Sequence, residues 1–328
     1  MRQRAVFLMI ILLVFVVLGC ISSPEQSKIN TIRIGYQTTT HHAAAMVASN
    51  LGWWSRDFKA MGVTDIKEIE FPSGAPEIKA MQEGDLDAIY VCTSPLIAPV
   101  SRGLDAKVVA GVNDNGSNLV LRPGLIYKGP LSLIGMSVAT FPPGTAQDVM
   151  LKKWLNESEI NVSEVKIIPM GPGDAIAAIS DGSVDGAFLP QPAPAIIEMQ
   201  GKGRSVMASG EIWPKHACCA IAVTGELIRD HPEVVEQLIR THINATNYIN
   251  AHPEEAARIY SNHTGQDLKA IEYSIKTWDG KWISDPHPLI NDTLEFARFQ
   301  CQSNYTQKML TEEDLFNTSF YDRIAAER

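Results

Sequence analysis

The chain has 328 residues, with 28 basic and 37 acidic side chains and a net charge of −9. This length is long for one domain and comfortable for two. Basic residues are not clustered, which argues against nucleic acid as a partner.

The N-terminus predicts export. Arg2 and Arg4 precede an apolar run, Ala5 to Leu18, and this order of positive then apolar residues is typical of a secretion signal. The run spans about 14 residues, which is short of the ~20 that a membrane-spanning helix needs. A cleaved signal peptide therefore fits this segment better than a membrane span.

The apolar run ends at Gly19-Cys20, which resembles the lipobox of bacterial and archaeal lipoproteins. We expect a lipoprotein signal peptide at residues 1–19, lipidation of Cys20 and a flexible tether at 20–30. The protein is then extracytoplasmic and lipid-anchored to the cell membrane. A plain cleaved signal peptide and an uncleaved anchor are the alternatives. Without residues 1–19 the chain keeps 26 basic against 37 acidic residues, a net charge near −11.

The first half of the mature chain alternates strands and helices. Runs rich in β-branched residues predict strands, and the segments between them have helical spacing. Strands are predicted at 31–36, 66–71, 86–91 and 106–112, with helices at 42–51, 75–83 and 95–102. This alternation predicts a mostly parallel sheet with right-handed crossovers.

A second block repeats the pattern, and a helical region follows it. Strands are predicted at 135–140, 165–170, 184–189 and 205–208, with helices at 146–156, 174–180 and 192–200. An apolar strand at 216–224 then leads to helices at 226–229, 232–251, 253–262, 268–277 and 289–300. We expect an α/β protein with two lobes, each a mostly parallel sheet with flanking helices. Lobe 1 takes residues 31–120, lobe 2 takes 121–215, and 216–328 return to lobe 1.

Two chain crossings between the lobes, near 118–124 and 216–224, predict a hinged protein with a cleft. Ligands of open parallel sheets bind beyond the carboxyl ends of the strands. The loops of interest therefore follow the strands, at 37–42, 92–95, 113–117, 141–147, 171–174 and 190–194.

Five stretches carry a family resemblance, at 32–54, 81–97, 138–155, 179–195 and 231–260. In order and spacing they resemble the solute-binding proteins of nitrate, sulfonate and taurine ABC importers, a group that includes binders of thiamine-pyrimidine precursors. The resemblance implies a type II periplasmic-binding-protein fold that closes on a small anion, including a bicarbonate-like one. It also implies an ABC permease with its cytoplasmic ATPase as partner, and no cofactor. We expect a monomer.

Polar residues in the strand-end loops are the candidate ligand contacts. The loop Thr38 to His42 is the most unusual polar cluster in the chain. Gly144 and Thr145 precede a helix whose N-terminus attracts anions, although helix capping also explains Thr145, Thr93 and Ser94. The predicted ligand-binding residues are Thr39, Thr40, His41, His42, Thr93, Ser94, Asn115, Gly144, Thr145, Gln191, Trp213 and His216.

Four cysteines remain after Cys20, namely Cys92, Cys218, Cys219 and Cys301. Cys218 and Cys219 fit a buried crossover strand, in which cysteine behaves as a small apolar residue. The chain has no CxxC pair, and adjacent histidines seldom bind one ion, so no metal site is predicted. The disulfide state of the cysteines and the glycosylation of eight Asn-x-Ser/Thr sequons stay open.

The sequence has no GxSxG, Walker or HExxH motif, so an enzyme is not predicted. Eukaryotic thiamine-pyrimidine synthases are similar to this fold and carry a longer cysteine run near position 218. Three alternatives therefore stand beside the anion binder: a binder of a heterocyclic vitamin precursor, a cleft enzyme using His216 and the cysteines, and a ligand sensor.

Overall fold

A computed structural model describes residues 29–327. The predicted signal peptide, Cys20 and most of the tether lie outside these residues, so they stay predictions. Among residues 29–327, no helix is both long enough and apolar enough to cross a membrane. The strands are β1 Thr31–Gln37, β2 Asp65–Phe71, β3 Ala88–Cys92, β4 Ala106–Asp114, β5 Ser117–Leu121, β6 Ser137–Thr140, β7 Lys166–Pro169, β8 Gly186–Pro190, β9 Arg204–Ala208, β10 Ala217–Thr224 and β11 Lys281–Trp282.

Helices connect the strands and dominate the C-terminal third of the chain. They are α1 Ala43–Asn50, α2 Trp53–Lys59, α3 Gly74–Gln82, α4 Thr93–Ser101, α5 Ala146–Glu157, α6 Pro172–Asp181, α7 Ala193–Met199, α8 Ser209–Ile212, α9 Gly225–Asp230, α10 Pro232–Ala251, α11 Pro253–Thr264, α12 Leu268–Thr277, α13 His287–Gln302, α14 Glu312–Leu315 and α15 Ser319–Ala326. Short 3₁₀ turns occupy Thr40–His42, Pro130–Leu133 and Val162–Glu164.

The strands form two sheets, one in each lobe. The first has the order β11-β4-β10-β3-β1-β2, and the second has the order β7-β6-β8-β5-β9. In the first sheet, β10 lies antiparallel between β3 and β4. In the second, β5 lies antiparallel between β8 and β9. Four strands of each sheet thus run the same way, and the predicted two-lobe α/β fold with mostly parallel sheets is confirmed.

Each sheet contains a reversed strand that follows a crossing between the lobes, β10 in the first and β5 in the second. The two-residue edge strand β11 of the first sheet is also antiparallel to its neighbour β4. The first crossing is Asn115–Gly116, where φ angles of 47° and 94° turn the chain from β4 into β5. All five residues of β5 pair with β8, so β5 belongs wholly to the second sheet. The crossing therefore lies just before the predicted crossing at 118–124. The predicted lobe boundary at residue 120 falls inside β5. The second crossing runs through α8 to β10, next to the predicted 216–224.

The buried residues explain why the central strands are apolar along their whole length. β3 and β10 are covered on both faces, since one core cluster includes Tyr90 and Ile221 and another includes Val91 and Ala222. The second cluster continues through α13 into lobe 2. This shared core holds the two lobes together around the space between them.

Candidate functional site

A small cavity lies between the lobes at the carboxyl ends of the strands. It offers about 20 Å³ to the centre of a water molecule, little more than the space one water needs. Its lining residues are Gln37, Thr39, His41, Gly74, Cys92, Pro95, Phe141, Thr145, Gln147, Pro190, Cys218 and Cys219. A solute of more than a few atoms therefore enters only when the lobes separate.

The two sides of the cavity come from different lobes. We call His41, Cys92, Cys218 and Cys219 the thiol wall; they lie on or next to β1, β3 and β10. We call Phe141, Thr145, Gln147 and Pro190 the helix wall; they follow β6, begin α5 or end β8. Both walls thus occupy the strand ends where ligands of open parallel sheets bind.

The loop after β1 sends its two adjacent histidines in different directions. The 3₁₀ turn at Thr40–His42 places His41 on the cavity and His42 in the core. His42 Nδ1 accepts a hydrogen bond from the Gln37 backbone N–H at 2.9 Å, and its ring lies 6.0 Å from that of Tyr90. Burial lowers the pKa of both imidazoles, so both are neutral at pH 7.

The tautomer of His41 follows from its partner. Its Nε2 lies 2.9 Å from the carbonyl oxygen of Gly116, which can only accept. The neutral ring therefore donates from Nε2 and keeps a lone pair on Nδ1. That Nδ1 points at the thiols of Cys218, 3.4 Å away, and Cys219, 3.8 Å away.

Three thiols cluster beside His41. The Cys218 sulfur lies 3.6 Å from that of Cys219 and 4.0 Å from that of Cys92. Hydrogen bonds from Cys218 and Cys219 lower the pKa of the Cys92 thiol, whereas burial raises that of Cys219. All three are free, and so is Cys301 on α13.

The helix wall is organised by the start of α5. Thr145 is the N-cap; its hydroxyl donates to the Pro142 carbonyl at 2.8 Å and accepts from the Asp148 N–H at 3.4 Å. Gln147 donates from Nε2 to the Ser117 hydroxyl at 3.1 Å. The first amides of a helix lack partners within the helix and carry the positive end of its dipole. This end of the cavity therefore suits a negatively charged or oxygen-rich group.

Among residues 29–327, no lysine or arginine lines the cavity. The buried Glu77 accepts a hydrogen bond from Gln37 Nε2 at 2.7 Å, and its other carboxyl oxygen has no partner among residues 29–327. Burial raises the pKa of Glu77 well above its usual range, which favours the protonated carboxyl. The lining residues themselves include no aspartate or glutamate either, so none of them belongs to the four charged residue types.

The structure brings three of the predicted contact residues into the cavity lining: Thr39, His41 and Thr145. Thr40 and His42 face away from it; the Thr40 carbonyl accepts from Trp282 Nε1 at 2.9 Å. The Thr93 hydroxyl accepts from Thr293 at 3.0 Å, and its side chain is buried against α13.

Ser94 and Gly144 meet each other across the lobes. The Ser94 hydroxyl donates to the Gly144 carbonyl at 2.8 Å, and Gln300 Nε2 donates to the same carbonyl at 3.1 Å. This pair belongs to the contact that holds the lobes together, outside the cavity lining. A direct contact with solute stays a prediction for both.

The remaining predicted residues lie at the crossings or in packing positions. Asn115 donates from Nδ2 to the Asp279 carbonyl at 3.2 Å, and Gln191 donates to Asn118 at 3.0 Å. The Trp213 ring packs against Phe296, and its Nε1 donates to Asp292 at 3.2 Å. The His216 Nε2 lies 2.9 Å from the Ser209 hydroxyl. None of these four lines the cavity.

Sequence reasoning did not select several lining residues, above all Gln37, Cys92, Gln147, Cys218 and Cys219. Four of the predicted loops nevertheless begin at lining residues, at 37, 92, 141 and 190. The rule that ligands bind at the carboxyl ends of strands therefore located the cavity. Cys92 was not selected because hydroxyl and imidazole groups were preferred over thiols as ligand contacts.

Relatives and solved structures resemble most of the chain. A Bacillus subtilis protein described as an aliphatic sulfonates-binding protein is 25% identical over 329 residues, which cover 98% of this chain and 96% of that protein. The nitrate-binding protein NrtA of Synechocystis matches with a TM-score of 0.79 at 15% identity, over 92% of this chain and 89% of that one.

The alkanesulfonate-binding protein SsuA of Xanthomonas axonopodis, solved with MOPS bound, has a TM-score of 0.78 at 16% identity, over 88% of this chain and 99% of that one. At these identities the solved structures establish the two-lobe periplasmic-binding-protein fold. The NMT1-like family model matches residues 25–262, which include both sheets except β11. This chain belongs to the NMT1-like family.

Proposed function

We propose that this protein is the extracytoplasmic solute-binding component of an ABC importer. It captures a small solute between its lobes and delivers it to a permease with a cytoplasmic ATPase. The observation that carries the proposal is the small cavity between the lobes, lined at the strand ends by residues of both. Its relatives are binding proteins for sulfonates and nitrate, and Cys20 is the anchor to the membrane.

The solute that we propose is a small anion of the sulfonate, taurine, nitrate or bicarbonate type. Support comes from the helix wall, where the N-terminus of α5 adjoins the cavity and the hydroxyl of Thr145 and the amide of Gln147 supply hydrogen-bonding groups. Recognition then relies on hydrogen bonds and the helix dipole, since no lysine or arginine of the described residues lines the cavity.

A compact heterocycle of the thiamine-pyrimidine type is the second candidate. The neutral lining and the ring of Phe141 favour it, because an aromatic face and amide groups suit an uncharged ring. The two candidates differ in charge and in their response to salt.

Calorimetry on the mature chain, kept reduced, tests both candidates. The panel is nitrate, bicarbonate, taurine, alkanesulfonates and aminopyrimidines. Gln147→Ala should weaken binding of the responding solute by about tenfold, the loss of one or two hydrogen bonds. Gln302→Ala, at the exposed end of α13, is the matched control and should bind as the parent does. The absence of heat with every member of the panel contradicts the proposed solute class.

A further inference from the structure

We propose that the thiol wall binds a thiophilic metal ion through His41 Nδ1 and the thiolates of Cys218 and Cys219, with the Cys92 thiol beside the fourth position. The three atoms lie within 4.8 Å of one another, and all three side chains are buried. The proposal goes beyond the proposed function, since it does not depend on which solute fills the cavity.

The spacing of the three atoms matches a tetrahedral site. With Zn–S of about 2.3 Å and Zn–N of about 2.0 Å, ligand atoms of a tetrahedral zinc site are about 3.5–3.8 Å apart. The separations here are 3.4 Å between His41 and Cys218, 3.8 Å between His41 and Cys219, and 3.6 Å between the two sulfurs. The three ligand atoms therefore already have the spacing that one ion requires.

His41 is already oriented as a metal ligand. Histidines that bind metals usually donate their second ring N–H to a carbonyl or carboxylate, which fixes the tautomer. The Nε2–H of His41 donates to the Gly116 carbonyl, so the lone pair on Nδ1 is directed at the thiols. Gly116 lies at the first crossing, so this hydrogen bond joins the site to the hinge.

An irregularity in β10 explains how adjacent cysteines reach one ion. Successive side chains of a strand normally point to opposite faces. The pairing of β10 with β4 shifts register on both sides of Cys219. As a result, Cys218 and Cys219 belong to the same core cluster, while Ala217 and Ala220 belong to the other. A bulge re-aims side chains in this way, and bulges are common next to binding sites.

Charge also favours a divalent ion. Two thiolates and a neutral imidazole balance a 2+ charge, and a buried neutral complex costs far less desolvation than a lone ion. The two thiols release their protons to solvent when the ion binds. Cys92 Sγ lies 4.0 Å from Cys218 Sγ and lines the cavity, so it stands as a neutral thiol beside the fourth position, which a water molecule fills. Sulfur and imidazole together select Zn²⁺ or a similarly thiophilic ion over Mg²⁺ or Ca²⁺.

Cobalt titration of the reduced, metal-free mature chain tests the site. One equivalent of Co²⁺ should give intense thiolate-to-cobalt absorption and tetrahedral visible bands, and Zn²⁺ should displace it. Cys218→Ser and Cys219→Ser should each weaken Zn²⁺ binding at least tenfold. Cys301→Ser removes the free thiol on α13 and should leave affinity and spectrum unchanged.

Circular dichroism of each metal-free variant checks that it folds, and Cys92→Ala serves as a second, milder variant. Cobalt bound without thiolate absorption, or with the same affinity in the serine variants, overturns the proposal. So does a disulfide that consumes Cys218 in protein isolated without reductant.

Calorimetry with the solute panel on the same samples separates the two proposals. Solute binding without metal binding overturns only the metal site, and metal binding without any solute response supports the metal site and overturns only the solute class.

Discussion

The two walls of the cavity differ in chemistry although their lobes share a topology. Each lobe inserts a reversed crossing strand between parallel strands. Lobe 1 nevertheless presents thiols and an imidazole, and lobe 2 presents a helix N-terminus, an aromatic ring and an amide. The comparison teaches that the repeated fold provides the strand ends, whereas the side chains there are set independently in each lobe. Substitutions on one wall should therefore leave the other wall intact.

The largest effect is expected at Gly116, behind the thiol wall. An added Cβ lies 2.6 Å from His41 Nε2, and φ is +94°. Gly116→Ala combines left-handed strain of about 1–2 kcal/mol with overpacking of about 1–3 kcal/mol, and it displaces His41. Gly124→Ala has a similar φ of +87° with nothing within 4 Å, so it carries the strain alone. Urea unfolding measures both, and equal losses would show that the His41 contact does not matter.

Acid should weaken lobe 1 through His242, which lies beneath β3. Its Nε2 donates to the Gly111 carbonyl at 2.7 Å, and burial lowers its pKa to about 4 from 6.5. As the pH falls, the unfolded chain therefore takes up a proton before the folded chain does. Between pH 6.5 and 4 this group lowers the free energy of unfolding by about 3 kcal/mol, and below pH 4 it lowers it no further.

Urea unfolding as a function of pH measures this slope. His242→Gln should flatten the slope between pH 6.5 and 4, whereas His252→Gln, at an exposed position, should leave it as in the parent. A slope that His242→Gln does not change would assign the acid sensitivity to other groups.

On the helix wall, Thr145→Val removes an N-cap and should cost about 1 kcal/mol of stability. Thr224→Val removes the comparable cap of α9, where the hydroxyl accepts from Leu227 N–H at 3.2 Å. Both variants should lose similar stability in urea. Only Thr145→Val should weaken binding of the solute, and neither should change metal affinity, since both thiolate ligands lie on lobe 1.

The smallest effect is expected where the walls meet. Ser94→Ala removes the hydrogen bond to Gly144, worth about 0.5–1.5 kcal/mol, and should shift the lobes toward an open arrangement. Ser101→Ala removes a hydroxyl that donates within α4 to Ala98 at 2.7 Å. Small-angle scattering should show a larger radius for the first variant alone. Equal radii would show that this hydrogen bond does not hold the lobes closed.

The sequence by itself determined the two-lobe α/β fold and the loops at which the cavity lies. Hydrophobic periodicity and the order of strands and helices are local properties, and the strand-end rule turns them into positions. Thr39, His41 and Thr145, which line the cavity, were selected in this way, and their contact with solute stays a prediction. The sequence did not show which of His41 and His42 lines the cavity. That depends on the 3₁₀ turn, which directs the ring of His41 toward the cavity and the ring of His42 into the core.

Only the tertiary structure decided that three cysteines and His41 meet. Cys92 and Cys218 are 126 positions apart, and they become neighbours because β10 is inserted next to β3. Adjacent Cys218 and Cys219 share one face because the register shifts at Cys219. Neither the order of strands in a sheet nor a local slip in pairing leaves a periodic signal in the chain, since both are set by contacts between distant segments.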